Sequence, residues 1–349
     1  MADFVPSTIG LTPEIVALLE RISRLQGTLS AIRRDVSEDF RMEQIAAIDA
    51  VHFSTKIEGN ALSRDQVTQA LGARPKKGGR DLHEVLNYAR TRRLVRDWSE
   101  HKKPLNDSWI LVHHAEVLKG IVKGRLRGSY REAQCVIRDS KSRAIIYLAP
   151  EWTDVQPLMK GLLTWLRKEI RGTSPLLLAA QFHYEFVTIH PFMDGNGRLA
   201  RLLTNGILMS GGYDVERYAA LEKQHELNRR AYYAAMNRLQ AQTYYEIAPG
   251  QDIGSWVLYW LRCLEATYRE ARERLQAVPE PSHTPSRIKK AEQLLRRHEV
   301  LRAGEYADLT GLGRTQAVAD LNELVEGEIA ERTGGGRSTV YRLRKRITS

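Results

Sequence analysis

Between residues 155 and 211 the chain runs three apolar-periodic segments almost end to end, and this most restricts its fold. Val155, Leu158, Met159, Leu162, Leu163 and Leu166 recur at three- and four-residue spacing, the one-sided stripe of a helix packed on a core. A second such stretch runs over 176–189. A third passes through Leu199, Leu202, Leu203 and Ile207 to a glycine stop at Gly211-Gly212. Stripes of this kind must bury against one another, so the expected fold is mainly α. The first hundred residues read as helical too, with Pro13 opening a helix and Pro75-Lys76-Lys77-Gly78-Gly79 forming a solvated break. One region departs from the pattern. Cys135-Val136-Ile137-Arg138, the polar turn Asp139-Ser140-Lys141-Ser142 and Ala144-Ile145-Ile146-Tyr147-Leu148 read as a short β-hairpin.

Val278-Pro279-Glu280-Pro281-Ser282-His283-Thr284-Pro285-Ser286 is too proline-rich for a helix and reads as a linker. Beyond it, a basic helix over 287–296 precedes two helical segments, 303–312 and 314–321. Two strands follow, 329–333 and 339–343, joined by Gly334-Gly335-Gly336. Helix, turn, helix and a glycine-turned hairpin outline a small winged helix-turn-helix. Arg314, Thr315 and Gln316 would open its second helix, where side chains can reach base edges, and Arg337 would sit on the wing. DNA is therefore a candidate partner of 287–349, and protein binding is the competing reading. The expected division is 1–100, 101–276, a linker at 277–286, and 287–349.

Charge and cysteine content narrow the function. Lys and Arg number 53 against 42 Asp and Glu, a formal net charge of +11, which favours an anionic partner without choosing one. The two cysteines, Cys135 and Cys263, lie far apart without metal-ligand spacing, which leaves no disulfide framework or zinc–cysteine site. No run approaches the about 18 apolar residues of a membrane helix, and the N-terminus lacks the pattern of a signal peptide. A cytoplasmic protein that does not engage membranes is the expectation.

The densest chemical signal is His190-Pro191-Phe192-Met193-Asp194-Gly195-Asn196-Gly197-Arg198-Leu199-Ala200-Arg201. Gly195 and Gly197 flank Asn196 and allow successive backbone N–H groups to converge on one point. These groups open the next helix, whose first turn favours an anion. Arg198 and Arg201, three apart, add two guanidinium forks matched to phosphate. Asp194 is a hard oxygen ligand suited to Mg²⁺, and His190 titrates where a general base is useful. The parts describe a phosphate-handling site. His183 and His190 with Asp194 also suggest a metal hydrolase, but no third ligand has suitable spacing.

This stretch matches, at every defining position, the HPFx(D/E)GNGRxxR motif of Fic domains, and the chain resembles that family over most of its length. The resemblance takes in Gly128-Ser129-Tyr130-Arg131, the hairpin, Asn228-Arg229-Arg230-Ala231-Tyr232-Tyr233 and Ser255-Trp256. It implies a Fic-type helical core with a hairpin flap, and transfer of AMP from ATP, with Mg²⁺, to a Tyr, Thr or Ser hydroxyl of a target protein. By resemblance His190 deprotonates that hydroxyl and Asp194 holds the metal between the α- and β-phosphates. Gly195, Asn196 and Gly197 form the anion hole, Arg198 holds phosphate oxygens, and Arg201 takes the γ-phosphate. The target would dock on the hairpin at 135–148. Tyr233, Met236, Asn237 and Gln240 fall where relatives contact adenosine.

A shorter match, Ser54-Thr55-Lys56-Ile57-Glu58-Gly59-Asn60, resembles the family's inhibitory (S/T)xxxE(G/N) motif. Alone it is a helix end with a glycine stop. In the family its glutamate pairs with the second motif arginine, here Arg201, and diverts ATP from productive binding. The expectation is an autoinhibited protein adenylyltransferase, capable of self-modification, with a homodimer among the options. Two other readings stay open: a nucleotide-sensing DNA-binding regulator, and an enzyme that mainly removes AMP with Glu58 orienting water.

Overall fold

A computed structural model describes the chain except residues 1–2, 33–35, 74–77, 102–103, 123, 139–141, 278–285, 299, 328, 336–338 and 345–349. Its centre is the most apolar stretch of the sequence. Helix α7 (Pro175–Ile189) is buried nearly all round, through Leu176, Ala179, Ala180, Phe182, Phe186 and Ile189. Such a helix must be enclosed by other elements. Three of them are α6 (Trp152–Glu169), α8 (Asn196–Ser210) and α11 (Gly254–Gln276). Trp256 donates its indole N–H to Ala180 O at 2.8 Å, tying α11 to α7.

The N-terminal third completes this core. Helix α1 (Pro13–Ala31), capped by Thr12, lies on α11. Helix α2 (Val36–Ile57) and the shorter α3 (Arg64–Ala73) pack together and against α4 (Arg80–Glu100), and α4 lies along α8. That last approach depends on Gly206, where an added Cβ would stand 2.7 Å from the Trp98 ring and 2.8 Å from Val95. Helix α5 (Asp107–Val117) is capped by Asn106, whose side chain accepts from Trp109 N. Helices α9 (Leu221–Leu227) and α10 (Arg229–Asn237) close the side near α2 and α11.

Strands β1 (Val136–Arg138) and β2 (Ile145–Leu148) form the expected hairpin, antiparallel with a bulge at Ile137/Arg138. Three of its four turn residues, Asp139, Ser140 and Lys141, lie outside the described residues. Tyr147 anchors it by donating its hydroxyl to Thr188 O at 2.7 Å, two residues before His190.

The chain divides into two compact units, Met1–Val278 and Pro279–Ser349. Residues 1–100 are therefore not a body separate from 101–276, because α1, α2 and α4 bury their apolar faces on α8, α9 and α11. The second unit contains α12 (Ser286–His298), α13 (Ala303–Thr310) and α14 (Arg314–Glu326). Its sheet has three strands rather than the two expected: β3 (Val300–Leu301), β4 (Ala330–Thr333) and β5 (Val340–Leu343), ordered β3-β5-β4. Gln316, expected to face a ligand, donates to the buried Asp320 at 2.8 Å, as does Arg287 at 2.8 Å. Arg314 and Thr315 are exposed at the start of α14, but its exposed face also carries Glu323 and Glu326. Arg337 lies outside the described residues. Among the described residues no helix is long and apolar enough to cross a membrane.

Candidate active site

The site forms where α7 stops and α8 starts. His190 ends α7 in the left-handed region, with φ 51°, an uncommon conformation for a residue with a Cβ. Buried Arg131 holds that backbone in place. Its Nε donates to His190 O at 2.9 Å, its backbone N–H to Pro191 O at 3.0 Å, and its Nη2 to Pro150 O. His190 Nδ1 lies 3.2 Å from Val187 O. A carbonyl only accepts, so Nδ1 carries the proton and the neutral ring keeps its lone pair on Nε2. Burial, aided by Arg131, pulls the ring down to about 4, so it is an unprotonated base at neutral pH.

The turn into α8 is stapled by Asn196. Its amide accepts from Phe192 N at 3.0 Å and donates to Phe192 O at 2.8 Å. The Asn196 side chain is therefore spent on shaping the loop rather than facing a ligand. Gly195 takes φ 83° and α8 begins at Asn196, earlier than the apolar pattern from Leu199 suggests. The first bond within the helix is Leu199 N to Gly195 O, so the preceding N–H groups are open to an anion. Arg198 and Arg201 both rise from this turn and are almost fully buried.

The end of α2 comes to the same place. Gly59, at φ 96°, closes the helix with Asn60 N donating to Thr55 O and Gly59 N to Lys56 O, a Schellman turn. This aims Glu58 at α8. Glu58 Oε1 accepts from Arg201 Nη2 at 2.8 Å. Ser54 accepts from Arg201 Nε through its hydroxyl (2.8 Å) and from Nη2 through its carbonyl (2.9 Å). A Cβ on Gly197 would meet Glu58 Oε1 at 2.4 Å. The carboxylate thus lies directly over the anion loop. Burial opposes the charge on Arg201, but Glu58 holds its pKa above the ordinary value.

Asp194, about a third exposed, accepts from Arg198 Nη2 and from Arg80 Nη2, each at 2.8 Å. One hard carboxylate beside a helix N-terminus fits Mg²⁺, which keeps several waters and takes its remaining ligands from phosphate. Arg198 Nε is buried without a hydrogen-bond partner among the described residues, consistent with a site shaped for an anion. His183 does not join Asp194. It is buried beside Tyr232 (2.9 Å) and Thr204 (3.2 Å), and burial lowers its pKa well below the ordinary value. Among the described residues no group of three or more His, Cys, Asp or Glu could hold a metal.

The adenosine positions divide. Tyr233 is exposed on α10 and Asn237 half-buried. Met236 is buried in the core and offers no face to a base, and Gln240 donates to Thr188 at 3.2 Å. Three residues of the site escape sequence reasoning. Arg80 and Glu84 come from α4. His114 accepts from Gly128 N on Nδ1 at 3.1 Å, which leaves its Nε2–H to donate to Asp194 O at 3.0 Å. It also stacks on Phe192 at 3.6 Å.

Residues 104–208 match the model of the Fic/DOC family. Among curated proteins, the protein adenylyltransferase Fic of Aedes aegypti is 30% identical over 255 residues, 71% of this chain and 46% of its own. The Drosophila melanogaster protein of that name is 31% identical over 199 residues, 56% of this chain and 39% of its own. The chain thus spans less than half the length of these relatives. Among solved structures, a Fic family protein from Desulfovibrio desulfuricans G20 superimposes with TM-score 0.67 at 25% identity, covering 98% of this chain and 99% of its own. Fic-1 from C. elegans gives 0.60 at 25%, covering 75% and 73%.

Proposed function

Because the chain carries a Fic/DOC-family domain at its core, we propose that it is a protein adenylyltransferase that moves AMP from ATP to a hydroxyl side chain, and that Glu58 restrains it. The observation that carries this reading is the pairing of an unprotonated His190 Nε2 with an anion-binding helix start flanked by Arg198 and Arg201. A hydroxyl near that nitrogen loses its proton to it as the oxygen attacks the α-phosphorus, and diphosphate leaves. The N–H groups of 196–198 face the phosphate oxygens, and Arg198 and Arg201 hold the outer phosphates. When bound at Asp194, Mg²⁺ would neutralise charge on the leaving diphosphate. The outer edge of β1, unpaired among the described residues, suits an extended target segment added as a strand, which would hold its hydroxyl in register.

In the resting chain Glu58 holds Arg201, so a γ-phosphate meets a carboxylate where it needs a cation. Self-modification is a proposed consequence of freeing this arginine. A second reading, removal of AMP, is supported by the Glu58 carboxylate standing over Gly197, where it would orient a water. DNA binding by 287–349 is not part of the proposal, given Glu323 and Glu326 on the exposed face of α14. The test is His190→Ala incubated with α-labelled ATP. Transfer should fall on the order of 10²–10⁴-fold while ATP still binds. Labelling at the wild-type rate would sink the assignment of the base.

A further inference from the structure

Each oxygen of Asp194 has its own cation. Oδ1 accepts from Arg198 and Oδ2 from Arg80, both at 2.8 Å. The two arginines differ in their freedom. The Arg198 side chain is 2% exposed and stands 3.1 Å from Glu84 as well. The Arg80 side chain is 58% exposed and comes from the first residue of α4. Its Nε donates to Glu84 Oε1 at 3.0 Å, so its Nη2 end can swing away while this second bond holds. Glu84 is itself buried and fixed, because Asn60 Nδ2 donates to its Oε2 at 2.9 Å. Asn60 is the residue that completes the turn at the end of α2, directly after Glu58-Gly59.

We propose that Arg80 is a removable counter-cation of Asp194. It occupies the carboxylate oxygen that a divalent metal takes when it arrives with a nucleotide diphosphate, and it supplies positive charge to the phosphate site when no metal is present. The inference rests on the phosphate-and-metal reading of the site given above. Opposite charge at one oxygen makes metal and guanidinium competitors. The more exposed arginine yields, and the buried one stays. Arg80 acts here as a positioning residue on Asp194, and its effect should appear in metal linkage before any chemistry.

The experiment is calorimetric titration of the full chain with ADP, with and without Mg²⁺. ADP has no γ-phosphate to contest Glu58 and supports no transfer. The readout is the ratio of the ADP Kd without Mg²⁺ to that with Mg²⁺. In Arg80→Ala this ratio should exceed the wild-type ratio by about two- to fivefold, the scale of one partly exposed ion pair. Arg80→Gln, which keeps a donor for Glu84 and guards against a folding defect, should show the same direction. An unchanged or smaller ratio in both variants overturns the proposal. Asp194→Asn separates the two readings. If it abolishes the Mg²⁺ dependence and the Arg80 variants leave the ratio unmoved, only the Arg80 proposal fails. If the dependence survives Asp194→Asn, the metal assignment fails and the Arg80 proposal with it.

Discussion

Glu58→Gly removes the carboxylate that pairs with Arg201, and its effect can be sized from the geometry. Arg201 is 2% exposed and Glu58 30% exposed, with 2.8 Å between Nη2 and Oε1. A hydrogen bond to a charged group is worth about 1.5–3 kcal/mol, and partial solvent access at Glu58 reduces that to about 1–2 kcal/mol. A γ-phosphate that no longer displaces this bond should gain about five- to thirtyfold in productive occupancy. Arg201 itself stays in place, because Ser54 still accepts from Nε and Nη2. The substitution also clears the space over Gly197, where the carboxylate stands. The assay is initial-rate incorporation from α-labelled ATP, for wild type, Glu58→Gly and Glu58→Gly/Arg201→Ala. The single variant should rise by at least the stated factor, and the double should lose the gain, since the two residues share one interaction. A single variant equal to wild type, or one that accumulates AMP-protein only because removal has stopped, would refute the reasoning.

Two further predictions concern pH. Burial holds His190 at about 4, so the acid limb of kcat/KM for Glu58→Gly should fall near pH 4; a limb near 6.5 would contradict the desolvated base. Stability should fall on acidification from about pH 6.5 to 4.5. In the folded state His114 is held at about 4 and His225 at about 3, and His183 and His190 are lowered too. The unfolded chain therefore takes up protons on these rings near their ordinary 6.5, and the stability they give is lost as pH falls. Glu185, raised by burial to about 7, and Glu216, raised by burial and by Glu222, work in the opposite sense as pH rises. Calorimetric Tm should accordingly peak near about pH 6.5; a flat Tm between 4.5 and 6.5 would count against this balance.

Much of the site was legible because local chemistry specifies it. The 190–201 loop needs its glycines and its helix start in one continuous stretch, and the Schellman turn at Gly59 follows from the residue alone. The side-chain use of Asn196 was not legible, since an asparagine between glycines reads equally well as a ligand or as a staple. Arg80 and Glu84 were hidden for a different reason. At i,i+4 behind a glycine break they look like an ordinary solvated pair; the packing of α4 on α8 brings Arg80 to Asp194, 114 residues away along the chain, and Glu84 to Arg198. His114, on a largely apolar helix, reads as a core histidine; its role depends on Phe192 and Gly128 arriving from elsewhere. The Pro75–Gly79 break interrupts the sequence pattern without interrupting the core, so 1–100 and 101–276 lie in one compact unit. Helices on both sides of it bury into the same cluster.

The central claim is transfer of AMP with His190 as the base, and one paired labelling measurement addresses it most directly. Glu58→Gly protein and its His190→Ala derivative are incubated with Mg²⁺ and ATP labelled at either the α- or the γ-phosphate, and the label held covalently on protein is counted. The account predicts stable label from α-labelled ATP only, dependent on His190. Label arriving from the γ-phosphate, or α-label that survives His190→Ala undiminished, would contradict it.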